Sequence, residues 1–114
     1  MKFINRCMVC VKPLEPMVKW VNEQGEVCPE NWLLEGAAYL LDEQEDEEAL
    51  VASLQKVAPQ IFDNELISWT EDQKKWPAHR SYSLLREWFD LHISVVCFDL
   101  GTTAMLRADM DTAK

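Results

Sequence analysis

Glycine is scarce in this 114-residue chain: Gly25, Gly36 and Gly101 are the whole set. A loop that cradles phosphate on its backbone N–H groups needs several glycines close together, so the glycine-rich nucleotide-binding loops are excluded by count. Basic residues are few as well. Eleven Lys and Arg stand against twenty Asp and Glu, a net charge of −9; neutralising nucleic-acid phosphates or an anionic membrane surface needs the opposite balance. No apolar run approaches the roughly 20 residues of a membrane span, and residues 1–6 lack the apolar core and small-residue cleavage site of an export signal. A cytoplasmic protein with neither a nucleic-acid nor a membrane partner is expected. No serine sits in a Gly-x-Ser-x-Gly elbow, and the two histidines, His79 and His92, have no neighbours that mark a nucleophile and its base. No catalytic residue, metal or cofactor is therefore assigned.

What the chain does contain is ordinary for a folded domain: 48% apolar, 10% aromatic and 27% charged residues. A chain of this length buries roughly two-thirds of its unfolded surface in one core, without staples. The four cysteines, Cys7, Cys10, Cys28 and Cys97, have apolar neighbours and read as reduced, mostly buried thiols. Cys7 and Cys10 have the spacing of a zinc knuckle or redox pair. In an extended strand, however, residues three apart face opposite sides, and no second pair completes a four-ligand site.

Along the chain, residues 3–11 alternate in the manner of a strand, with Phe3, Cys7, Val9 and Val11 on one side and Ile4, Met8 and Cys10 on the other. Pro13 and Pro16 suit a first helical turn, and the helix through Val18, Trp20 and Val21 should end near Gly25. Residues 26–36 read as a loop with a turn of helix after Pro29, and residues 37–41 as a buried second strand. Leu50, Leu54, Val57 and Ile61 recur at helical spacing, with Pro59 expected to kink or split that helix. A third helix is predicted over residues 81–91, capped by Ser81, with Leu84, Leu85, Trp88 and Phe89 on its core face. Residues 93–98 give the last strand. The predicted fold is α+β, a small mixed or antiparallel sheet of about three strands in the order β-α-β-α-α-β with helices packed on it. It occupies residues 1–101 as a single domain, and residues 102–114 form a weakly ordered tail.

Residues 42–48 hold six carboxylates in seven positions. A calcium or magnesium site needs a turn that folds its ligands inward, and no Asp-x-Asp-x-Asp-Gly loop is present. Asp46, Glu47 and Glu48 instead suit a helix start, where negative charge complements the helix dipole. The segment 69–89 is the other unusual stretch, carrying Trp69, Trp76 and Trp88 with Arg80 and Arg86. Trp88 lies at core spacing. Trp69, Trp76, His79, Arg80 and Arg86 are the candidate contact residues, because Trp and Arg dominate interface hot spots. Anchoring of the loop to the core is the competing reading for the two tryptophans.

Taken together, Phe3-Ile4-Asn5-Arg6, Trp20-Val21-Asn22, Tyr39-Leu40-Leu41-Asp42-Glu43 ahead of an acidic helix start, Phe62, Glu65-Leu66, Trp69, Trp76-Pro77, Arg80, Trp88-Phe89 and Asp99-Leu100 form a pattern that resembles small acidic bacterial proteins of unknown function. The likeness spans nearly the whole chain. It implies a single bacterial cytosolic domain and transfers no functional residue.

The acidic excess, the aromatic segment and the lack of a catalytic constellation point to a non-enzymatic module that binds a basic protein, in the manner of an inhibitor or immunity protein. The rival is a small-ligand or enzymatic domain in which Arg80, Arg86 and His79, with the tryptophans, recognise an anion.

Overall fold

The computed structural model describes residues 1–110. It is an α+β fold with nine principal elements: β1 (Lys2–Ile4), β2 (Arg6–Pro13), α1 (Glu15–Glu23), α2 (Glu30–Glu35), β3 (Ala37–Asp42), α3 (Glu47–Ile67), α4 (Tyr82–Trp88), β4 (Phe89–Ser94) and β5 (Cys97–Asp99), with a 3-10 turn at Gln73–Lys75. β2 is the centre of an antiparallel sheet ordered β3-β2-β4, and β1 pairs with β5 in a separate two-stranded ribbon. The expected β-α-β-α-α-β order is kept once two refinements are made: the first and last strands are each divided in two, and α2 is a helix in its own right.

Both divisions have one cause. Met8 pairs with Ser94 at the end of the central ladder, and Ile4 pairs with Cys97 at the start of the ribbon. Between those pairs three residues, Asn5, Arg6 and Cys7, oppose only Val95 and Val96. This is the count of a β-bulge, in which one extra residue kinks the strand and sharpens its twist. Cys7 ties the corner together, its thiol donating to the Val95 carbonyl at 3.3 Å while the Gln44 N–H donates to its Sγ at 3.3 Å. Beyond the bulge, Phe3 no longer shares the environment of Cys7, Val9 and Val11. Those three are fully buried, whereas Phe3 is 58% exposed.

α1, α3 and α4 cover one face of the sheet, and their apolar stripes meet the inward residues Cys7, Val9, Val11 and Leu41 in a single cluster. Met17, Val21, Leu50, Leu54, Phe62, Leu66 and Leu85 fill its interior. Phe62 sits edge-on to Trp88 and Phe89, with ring centroids 5.4 and 5.8 Å away. The opposite face, with Ala38, Leu40 and His92 exposed and Met8 and Cys10 half-buried, is open, as one face of an antiparallel sheet can be.

Local chemistry explains the boundaries. Asp46 caps α3 by accepting from the Ala49 N–H, and Ser81 caps α4 by accepting from the Leu84 N–H. Gly25 ends α1's connection at φ 83°. Gly36, at φ 65° and ψ −151°, turns the chain from α2 into β3 against the β2 backbone. That conformation is open essentially to glycine alone.

Four expectations are corrected. Pro59 does not split α3, which runs unbroken through it. Pro59 and Gln55 both lie on the exposed side, so the carbonyl that loses its N–H partner there can turn to water. Residues 37–41 form a strand, but an edge strand in which Leu41 alone is buried and Leu40 is 49% exposed. The third helix ends at Trp88, so Phe89 reaches the core as the first residue of β4 and Leu91 also belongs to that strand. Cys7 is fully buried, but Cys10, Cys28 and Cys97 are half-buried; all four are free thiols. In the tail, residues 102–110 carry no helix or strand and are exposed; residues 111–114 lie outside the described residues.

Candidate functional site

The aromatic segment is fastened to the body of the protein. Trp76 is 6% exposed, and its indole N–H donates to the Thr70 carbonyl at 3.0 Å. Arg80 lies over the Trp76 ring, 5.4 Å from its centroid, pairs through Nε with the Asp63 carboxylate, and donates to the Pro77 carbonyl at 3.0 Å. Trp20 reaches the same loop, its indole donating to the Lys75 carbonyl at 2.9 Å. Trp69 is half-buried and packs against Trp32, the rings tilted by 54° with centroids 5.0 Å apart.

Arg86 belongs to a different place. Its guanidinium lies 5.7 Å from the Tyr82 ring centroid and lines a shallow cleft of about 480 Å³ with Glu47, Val51 and Asp90. Val51 and Asp63, which mark the surroundings of Arg86 and Arg80, are twelve positions apart on α3, about 18 Å along a helix. His79 is exposed in the loop. The structure thus brings Trp76 and Arg80 together, places Trp69 beside Trp32, and leaves Arg86 elsewhere. Among the described residues no three His, Cys, Asp or Glu side chains are placed to hold a metal ion.

Two features stand out that the sequence reading does not single out. The first is a polar network behind β3. Glu65 on α3 is 6% exposed. The Tyr39 hydroxyl donates to its carboxylate, and the Asn64 amide donates to the Tyr39 oxygen at 2.8 Å. Burial pushes the Glu65 carboxyl above the ordinary carboxylate range, while Tyr39 and Trp32 pull it back. Burial, and then the charge of Glu65, push the Tyr39 phenol upward. Glu65 recurs within the apolar pattern of α3 beside Leu66, and that position is the one sequence signal that could have drawn notice to it.

In front of this network lies a cleft of about 770 Å³, lined by β3, α3 and the tail. Tyr39, Leu41, Val57 and Ile61 form its apolar wall, Asn64, Gln60 and Ser53 its polar one, and Asp42, Asp63 and Asp109 supply carboxylates. Residues 108–110 of the tail border it.

The second feature is the ribbon. Phe3 and Phe98 pair across it with their rings edge-to-face at 6.2 Å, and they are 58% and 57% exposed. Val96 and Leu100, which flank β5 on either side, are exposed too.

Nothing similar is found. Comparison with protein-family models, with curated proteins and with solved structures gives no match to this chain. No helix among the described residues is long and apolar enough to cross a membrane.

Proposed function

We propose that this chain is a non-enzymatic, cytoplasmic binding module whose partner is a basic protein, and that the β1/β5 ribbon is its principal contact face. The observation that carries the reading is the exposure of Phe3, Val96, Phe98 and Leu100 on and beside a ribbon outside the helix-covered core. A two-stranded ribbon is marginal by itself. Phe3 and Phe98 stay more than half exposed on it, so coverage by a second molecule supplies the missing desolvation. The partner's sign follows from the net charge of −9: complementary charge speeds encounter and disfavours acidic competitors. An inhibitor of a basic protein, of the immunity type, is the concrete form that fits small size, acidity and a preformed face.

In this reading the contact role passes from Trp76, which anchors the loop, to the ribbon aromatics. Arg80, held by Asp63, supports the wall of the β3–α3 cleft.

The test is crosslinking of the native chain in cell lysate, identification of the crosslinked protein, and titration with that protein purified. A basic partner is expected, with affinity that falls as salt rises. Phe3→Ser with Phe98→Ser should weaken it at least tenfold while leaving the melting temperature within a few degrees. An acidic or salt-insensitive partner, or full affinity in the double variant, overturns the proposal.

A further inference from the structure

We propose that the β3–α3 cleft receives one cationic side chain, arginine or lysine, from the basic partner; this rests on the binding reading above and adds a second, specificity-giving contact to it. Three observations converge on this. The cleft of about 770 Å³ falls within the size range of ligand sites. Its charged lining consists of Asp42, Asp63 and Asp109, and no basic residue lines it. Arg80 compensates Asp63 from behind. Asp42, at the end of β3 opposite Arg6 in the ladder, and Asp109 in the tail form no ion pair among the described residues, so two carboxylates without an ion-pair partner border the opening.

The neutral lining matches the same ligand. The long apolar stem of arginine or lysine needs an apolar wall, which Leu41, Val57 and Ile61 supply, while its head remains at the polar mouth. Tyr39 adds an aromatic ring, which attracts a cation over its face. Its hydroxyl is already engaged, donating to Glu65 and accepting from Asn64, and the ring is thereby held in place. A carboxylate-bearing ligand would meet two unpaired negative charges; a neutral apolar one would leave them unused. A protein side chain is favoured over a free polyamine because the cleft adjoins the open edge of β3, where an extended segment can run alongside and present one side chain inward.

The experiment follows backbone amide resonances of the ¹⁵N-labelled chain during titration with three blocked pentapeptides. These differ only at the central residue: arginine, lysine, or citrulline as the neutral isostere. Spermidine is titrated separately. Arginine and lysine peptides should move the Tyr39, Asn64 and Asp109 amides with Kd of about 1 mM, the stem and backbone contacts adding to a screened ionic contact, and citrulline, which lacks the ionic contact, should bind about five- to tenfold more weakly. Asp42→Asn with Asp109→Asn should weaken the arginine peptide about tenfold at unchanged melting temperature. Equal binding of citrulline, or shifts confined to other surfaces, overturns the cleft assignment. Tighter binding of spermidine than of either peptide overturns the protein source.

The purified partner separates this inference from the reading beneath it. Loss of binding in the Phe3/Phe98 variant with full binding in the Asp42/Asp109 variant removes the cleft and keeps the module. Loss in both supports the two contacts together.

Discussion

Trp76→Ala is the most informative single change, because it asks whether the 69–80 segment is a strap or a contact surface. The ring is 6% exposed, stacks under the Arg80 guanidinium and donates to the Thr70 carbonyl. Truncating a buried tryptophan to alanine costs about 3 to 5 kcal/mol through lost transfer energy and the cavity left behind. The cation–π contact, at about 0.5 to 1 kcal/mol, is lost with it. Total stability for a chain of this length is about 6 to 17 kcal/mol, so the change removes a large share. A domain of this size loses about 4 °C of melting temperature per kcal/mol, which gives a drop of about 12 to 20 °C. Two companions apportion it. Trp76→Phe keeps a ring over which Arg80 can sit but leaves the Thr70 carbonyl without its donor, at about 1 kcal/mol. Arg80→Ala removes a part-exposed ion pair and should cost about as little. Thermal melts by circular dichroism on the three variants decide the matter. If Trp76→Ala melts within 2 or 3 °C of the native chain, the ring is not an anchor and the case for a tryptophan contact surface returns.

The remaining expectations concern positions where the fold constrains one residue strongly. Gly36→Ala should destabilise by about 3 kcal/mol or more, since a Cβ there would lie 2.2 Å from the Val11 carbonyl oxygen at φ 65°; a variant that melts normally would mean that the α2–β3 turn relaxes freely. Pro59→Ala should stabilise by about 1 to 2 kcal/mol, the recovered helix bond outweighing the greater freedom of the unfolded chain, and an unchanged denaturant midpoint would count against that account. Glu65→Gln tests the buried carboxyl through pH. Burial raises its folded pKa, so the contribution of Glu65 is fully present below its unfolded value of about 4.3 and is lost as pH rises through the folded value. Glutamine does not ionise, so the stability of the variant relative to the native chain should climb with pH across that interval. A difference that stays level from pH 4 to 8 would refute the burial argument.

Features that depend on neighbours in the chain were legible beforehand. Ser81 as a cap, the acidic helix start at Asp46 to Glu48, Gly25 after the first helix, and the long apolar stripe from Leu50 to Leu66 follow from bonding and periodicity within a few residues, and the α+β class follows from their order. The absence of a glycine-rich phosphate loop is likewise a property of composition. What depended on pairing between distant segments was not legible. Period-two alternation runs on through Asn5, yet a single extra residue opposite Val95 and Val96 sends Phe3 out to solvent, because register is decided by the partner strand and not by the strand itself. The candidate site has the same origin. Trp76 and Arg80 were visible as residue types, but Asp63 and Thr70 make them anchors. Tyr39 and Glu65, 26 positions apart, become one hydrogen-bonded pair because α3 folds back across β3, and the carboxylates of Asp42 and Asp63 border one cleft for the same reason, with Asp109 brought there by the tail.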